Sequence, residues 1–199
     1  MSDVLRFIDD NLGRFRAELY DFLRIPSISA KSEHDADTRR AAEWFGDRLG
    51  EAGLSAEIHD TEGHPIVVGE WRGAGAQAPT VLIYGHYDVQ PPEPLDLWAS
   101  PPFEPTERDG RIYARGSADD KGQLYMHVKA LEAYHATGAT LPINVVVLAE
   151  GEEEVGSPNL VPFVESNRDR PAWDGVLNAD TGILAEGSHG LVGALRGRA

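Results

Sequence analysis

The sequence predicts an α/β domain with a mostly parallel central sheet flanked by helices. Three observations carry that reading. Segments of helical periodicity alternate with short apolar runs, the pattern of strand–helix–strand repeats. One run, Ile143–Ala149, is apolar at every position but Asn144, as expected of a strand covered on both faces. The apolar runs also end in chemistry-bearing side chains: Val81–Tyr84 leads to His86 and Asp88, Val145–Leu148 to Glu152, Glu153 and Glu154, and Val176-Leu177 to Asp180. Asp119 and Asp120 sit in a Gly-bounded loop just before a helix. Ligands of open α/β sheets collect beyond the carboxyl ends of parallel strands, so these four clusters are expected to converge on one site.

Taken in order, Val4, Phe7, Ile8, Leu12, Phe15, Leu19, Phe22 and Leu23 recur at helical spacing, with Ser2 read as the N-cap and Pro26 as the stop. A polar loop leads to a second helix over Thr38–Ala52, ended by Gly53. Leu54–His59 and Ile66–Trp71 read as strands paired across a turn containing Gly63. Gly73–Ala78 loosely matches a dinucleotide loop, but Pro79 and a strand follow where a phosphate loop requires a helix, so it is read as a turn. After the strand at 81–85, PPEPLDLWASPPFEP is a stiff surface loop anchored to the body by Trp98 and Phe103. Lys121–Thr137 is a helix with Leu124, Val128, Leu131 and Tyr134 on one face and Gly138 at its end. Ser157-Pro158 opens a further helix to about Asn167, with Pro in the first turn. Val176–Ala179 and Leu191–Leu195 complete the set as short strands.

The 199 residues are 41% hydrophobic, enough to build a core and to exclude disorder. Lys and Arg total 18 against 33 Asp and Glu, and the net charge of −15 opposes binding to nucleic acid or an anionic membrane surface. There is no cysteine, hence no disulfide and no thiolate metal site, which suits a cytoplasmic protein. The first residues lack the basic and apolar regions of a secretory signal, and no apolar run approaches the ~18 residues of a membrane span.

His86 and Asp88 are spaced so that one can ligate while the other orients it. Taken alone, a buried histidine making ordinary hydrogen bonds would be the better reading. The ADD pair and the EEE run change the odds. Carboxylates gathered at strand ends resist ionising together unless a cation compensates. Asp88, Asp119, Asp120, Glu153, Glu154 and Asp180 make six acids with one histidine, a mixed N/O donor set that suits zinc or a similar transition ion. Two such ions about 3.5–4 Å apart, bridged by a carboxylate, activate a water and polarise a carbonyl.

GHYDVQP, ARGSADDKG, EGEEEVGS and the Asp of NADTG together resemble the successive signatures of the M20 family of co-catalytic metallopeptidases. The linking LDLWASPPFEPTERDGRIYARG resembles its cytosolic dipeptidase branch. The resemblance covers nearly the whole chain. It implies a zinc-exopeptidase-like catalytic domain and two divalent ions, zinc first, with manganese or cobalt as alternatives. His86 and Asp180 match ligands of one ion, Glu154 a ligand of the other, and Asp119 the bridge between them. Asp88 matches the carboxylate that orients His86, and Glu153 the general base that takes a proton from the attacking water. Asp120 falls behind these ligands, Glu152 lies where the family varies, and the Asp119–Asp120 peptide is expected to be cis.

The family has one further ligand, a histidine that follows an inserted lid domain through which the full-length protein is expected to form a homodimer. Residues 1–199 are therefore read as the N-terminal segment of the catalytic domain, without the lid and the C-terminal part, and are expected to be inactive alone. His189 does not match the further ligand, and His34, His59, His64, His127 and His135 are assigned surface or core roles. The function implied is hydrolysis of dipeptides or short peptides in the cytoplasm. Alternatives are an M20 deacylase of the succinyl-diaminopimelate or acetylornithine type, and a non-catalytic metal- or peptide-binding module.

Overall fold

A computed structural model describes residues 2–168 and 173–182. The helices are α1 (Ser2–Leu23), α2 (Asp35–Glu51), α3 (Lys121–Thr137) and α4 (Leu160–Ser166). The strands are β1 (Ser55–His59), β2 (Ile66–Trp71), β3 (Thr80–His86), β4 (Thr106–Arg108), β5 (Arg111–Tyr113), β6 (Asn144–Glu150) and β7 (Gly175–Asn178). Five of the strands form one sheet in the order β1-β2-β6-β3-β7, and β4 pairs with β5 apart from it. The parallel part is β6-β3-β7, while β1 and β2 extend it as an antiparallel hairpin. The strand expected at Leu191–Leu195, and His189 with it, lie outside the described residues.

Every residue of β6 is buried, which accounts for the apolar run Val145–Ala149 between its polar ends Asn144 and Glu150. Val145 and Val147 point to one side, where α1, α2 and α3 bring Phe22, Phe45, Leu49, Leu124 and Val128. Val146 and Leu148 point to the other, against Ile66, Val68 and Leu82, with Leu160, Phe163 and Trp173 packed alongside. Phe22 stacks on Trp44 at a centroid distance of 4.4 Å, locking α1 to α2. The Gly73–Ala78 segment is a turn, as its Pro79 implies, and Asn144 secures it through hydrogen bonds to Gly75 O, Ala78 O and Ala74 N.

Several boundaries differ from the sequence reading. Ser2 lies inside α1 rather than before it. Leu12, read into the packed face of α1, is 52% exposed, because the apolar stripe is wider than the surface that α3 covers. It lines an open groove with Ile8, Phe15, Leu19 and Met126. The fourth helix begins at Leu160, not Ser157: Gly156 and Ser157 both take left-handed conformations (φ 92° and 53°), and a helix cannot run through them. Among the described residues no helix is long and apolar enough to cross a membrane.

Parallel register positions the chemistry. Opposite His86, at the end of β3, stands Glu150, the end of β6, so the chain leaving β6 carries Glu152–Glu154 past the histidine. On the other flank Tyr84 pairs with Asn178, and two residues further along each strand Asp180 arrives beside His86. Asp119 and Asp120 enter from the loop that starts α3, joined by a cis peptide bond.

Candidate metal centre

His86 and Asp88 are fully buried, and the chain between them stays inside because Tyr87 N donates to Glu150 O (2.9 Å) and the Tyr87 hydroxyl to Pro65 O. The imidazole Nδ1 lies 3.1 Å from Asp88 O and 3.3 Å from Asp88 Oδ1. Both are acceptors, so Nδ1 carries a proton and Nε2 faces the other way. There Nε2 lies 3.3 Å from Asp119 Oδ1 and 3.7 Å from Asp180 Oδ2. It is buried without a hydrogen-bond partner.

Asp88 also holds the glutamate loop. Its Oδ1 accepts from Glu153 N (3.2 Å) and its Oδ2 from Glu154 N (3.1 Å), in the single 3-10 turn Glu153–Val155 that follows β6. One carboxylate thus fixes both the histidine and the two glutamates. Ligand atoms of His86, Glu153 and Glu154 come within 4.8 Å of one another, and so do those of His86, Asp119 and Asp180. His86, Asp88, Asp119, Glu153, Glu154 and Asp180 are therefore gathered at one end of the sheet.

The electrostatics describe a cluster short of positive charge. Burial opposes charge on His86, yet the hydrogen bond and charge of Asp88, with Asp120 and Glu153 nearby, push its pKa up to about 10. Burial, with the charges of Asp180 and Asp119, raises Asp120 to about 7 against the opposing pull of His86. Glu154 is raised as well, by burial and by the charges of Asp119 and Asp88, although Gln90 donates to it at 2.6 Å. Raised carboxyls and a raised imidazole are what several acids gathered in one buried pocket produce, and a bound cation would offset them. The unpartnered Nε2 and the surrounding carboxylate oxygens form a donor set that fits zinc, manganese or cobalt.

Asp120 stands behind the candidate ligands, as expected, and accepts the His86 backbone N–H with Oδ2 at 3.2 Å. Other residues escaped the sequence reading. Lys121 is fully buried; its amine donates to Phe22 O (3.1 Å) and Ile25 O (2.7 Å), and burial lowers its pKa to about 7. Glu150 accepts from Tyr84 (2.5 Å) and Ser157 (2.8 Å), closing the glutamate loop from behind. Glu152, passed over in sequence, is bonded to Asn159 Nδ2 at 2.7 Å. Ser29 donates to Asp88 Oδ2 at 2.5 Å. Of these, only Glu150 had a local signal, as the acid that ends β6.

The sequence pattern of peptidase family M20/M25/M40 matches residues 82–192. A cysteinylglycine-S-conjugate dipeptidase of Corynebacterium striatum is 35% identical over 95% of this chain and 42% of its own length. Human carnosine dipeptidase 1 superposes with a TM-score of 0.83 at 29% identity, over 90% of this chain and 41% of that structure. An M20 family metallo-carboxypeptidase from Sulfolobus solfataricus gives 0.76 at 37% identity, over 85% of this chain and 38% of the other. The chain spans less than half the length of these relatives.

Proposed function

Because the chain belongs to peptidase family M20/M25/M40, we propose that its cluster is the metal-binding part of a dipeptidase site, and that residues 1–199 are a segment of that catalytic domain. The observation that carries this is the buried, unpartnered His86 Nε2 aimed at Asp119 and Asp180. On this reading His86, Asp119 and Asp180 hold one divalent ion, and Asp119 and Glu154 hold a second. Such ions supply Lewis acidity at a scissile carbonyl and acidify the attacking water.

Asp88 keeps the Nδ1 proton in place, so that Nε2 offers its lone pair to the pocket. Glu153 is held by its backbone at Asp88 and is the carboxylate assigned to the proton. It takes one from the water as the C–O bond forms and delivers it to the leaving nitrogen as the C–N bond breaks. Dipeptides are the substrates best supported, by the likeness to the Corynebacterium striatum and human dipeptidases. A carboxypeptidase acting on longer peptides is the second reading, favoured by the 37% identity to the Sulfolobus solfataricus enzyme. The cysteine-free composition supports a cytoplasmic location.

The full-length protein, stripped with chelator and supplied with excess zinc, manganese or cobalt, is to be assayed against Cys-Gly, β-Ala-His, an N-blocked tetrapeptide and an N-acyl amino acid. Turnover of the free dipeptides, lost in Glu153→Gln while metal content stays near wild type, supports the proposal. Preference for the blocked peptide replaces it with the carboxypeptidase reading, and preference for the N-acyl amino acid with a deacylase. Metal binding without turnover on any of them leaves a binding module.

A further inference from the structure

We propose that Ser29 is a positioning residue for the metal centre, acting through Asp88; this rests on the metal-site reading above. Asp88 is 0% exposed and carries the arrangement of the cluster. A carboxylate has about four acceptor positions, and the structure fills them with four groups. Three belong to the site itself: the His86 ring at 3.3 Å and the N–H groups of Glu153 (3.2 Å) and Glu154 (3.1 Å). The fourth is the Ser29 hydroxyl, 2.5 Å from Oδ2. The other donors move with the cluster, whereas Ser29 comes from a different part of the chain, the loop that follows α1. It is the donor that sets the rotation of the carboxylate against the body of the protein.

That loop is itself well anchored. Ser27 Oγ donates to Tyr87 O (2.6 Å), and Val89 N donates back to Ser27 O (2.9 Å), so the segment runs bonded alongside His86–Val89. The buried Lys121 amine grips the Phe22 and Ile25 carbonyls just before it. Ser29 therefore stands on a fixed base tied to the start of α3, next to the loop that carries Asp119. Asp88 is acceptor-only while it is ionised, so the hydroxyl must donate, and no carboxylate proton is needed to hold the geometry. Removing the hydroxyl leaves a buried oxygen short of a donor and free to rotate away from the imidazole. The ring then loses the partner that fixes its tautomer. Partners that orient a ligand from behind are typically worth ~10–100-fold in metal affinity.

The experiment uses the metal-stripped chain and cobalt as a spectroscopic probe, with zinc affinity from competition against a chromophoric chelator. Ser29→Val and Ser29→Thr have the same shape and differ in the hydroxyl, Ser29→Ala checks for steric effects, and His86→Ala reports loss of the site. Ser29→Val and Ser29→Ala should bind both ions at least ~10-fold more weakly with altered cobalt bands, and Ser29→Thr should restore affinity to within ~3-fold. Thermal melts of the metal-free proteins measure the purely structural part. Wild-type affinity and bands in Ser29→Val and Ser29→Ala, even with a lowered melting temperature, overturn the inference, as does Ser29→Thr binding no better than Ser29→Val. Failure of the folded wild-type chain to bind cobalt overturns the metal reading itself, and this inference with it.

Discussion

Gly85 shows how closely the cluster around His86 is fitted at single residues. A methyl group there would meet Asp120 Oδ2 at 2.5 Å and Leu124 Cδ1 at 3.0 Å. Gly85→Ala is therefore expected to push Asp120 off the His86 N–H, at about 1–3 kcal/mol of overpacking. Cobalt affinity should fall along with the melting temperature, and unchanged affinity would show that Asp120 does not set the histidine. The His86 ring gives a pH prediction. Its pKa of about 10 means that the metal-free ring holds a proton below that pH, and an incoming ion must displace it. Apparent affinity should rise as pH rises, by about tenfold per unit for one competing proton; cobalt titrations at successive pH values between 7 and 9 check the slope. The candidate ligands were legible in sequence because His86, Glu154 and Asp180 each come at or just past a strand end and Asp119 lies just before α3. Ser29 was not, because it meets Asp88 across 59 residues of chain and nothing local marks the contact.

The elements divide in the same way. Hydrophobic periodicity found α3 and much of its packed face, but it could not see that Lys129 and Glu132 are buried there too. Lys129 donates to Glu18 (2.6 Å) and Glu132 (2.5 Å), and Arg14 bridges Glu18 (2.7 Å) and Glu132, so α1 and α3 meet through a charge network. Because the two helices pair charges across their interface, their burial is invisible to a scale that counts apolar residues. The strands β4 and β5 were missed for another reason: each has three residues and lies in or just after a proline-rich stretch that reads as loop. The network has an acid signature. Burial alone would raise the Glu18 carboxyl, but hydrogen bonds from Lys129, Tyr125 and Arg14 outweigh it and hold the pKa at about 2, against 4.5 when free. A depressed carboxyl stabilises the fold above its unfolded pKa and loses that contribution as pH falls through the folded one. Glu18→Gln should thus cost up to about 3 kcal/mol at neutral pH. Its denaturation midpoint should converge on the wild-type value as pH falls from 4.5 to about 2. A gap that persists to pH 2 would place the loss in packing, not charge.

At the scale of the whole molecule, the parallel strands bring His86, Glu152–Glu154 and Asp180 to one end of the sheet, where Asp119 joins them from the start of α3, and the strand-then-acid pattern of the sequence made that convergence legible. What the pattern could not weigh is how unequally the donors are distributed. His86, Asp119 and Asp180 offer three donors that already meet within 4.8 Å. A second ion would draw on Asp119 again and on Glu154, with Glu153 kept for the proton. Among the described residues the second position is thus left with two carboxylates and no nitrogen, a weaker set for zinc. Binding to the 199-residue chain should be biphasic: one equivalent of zinc or cobalt taken up tightly and a second only at large excess. The first ion should raise the melting temperature, by about 2.7 kcal/mol of added stability at one hundred times its Kd. The proposed chemistry would draw on both ions, so residues 1–199 should hydrolyse dipeptides at no useful rate, and any turnover that appears should require the second equivalent. Glu153→Gln should leave both binding phases in place while abolishing turnover. Loss of the weaker phase in that variant would mean that Glu153 ligates, as its place beside His86 and Glu154 allows. Fast, Glu153-dependent hydrolysis at a single equivalent would show instead that His86, Asp119 and Asp180 with one ion suffice for catalysis.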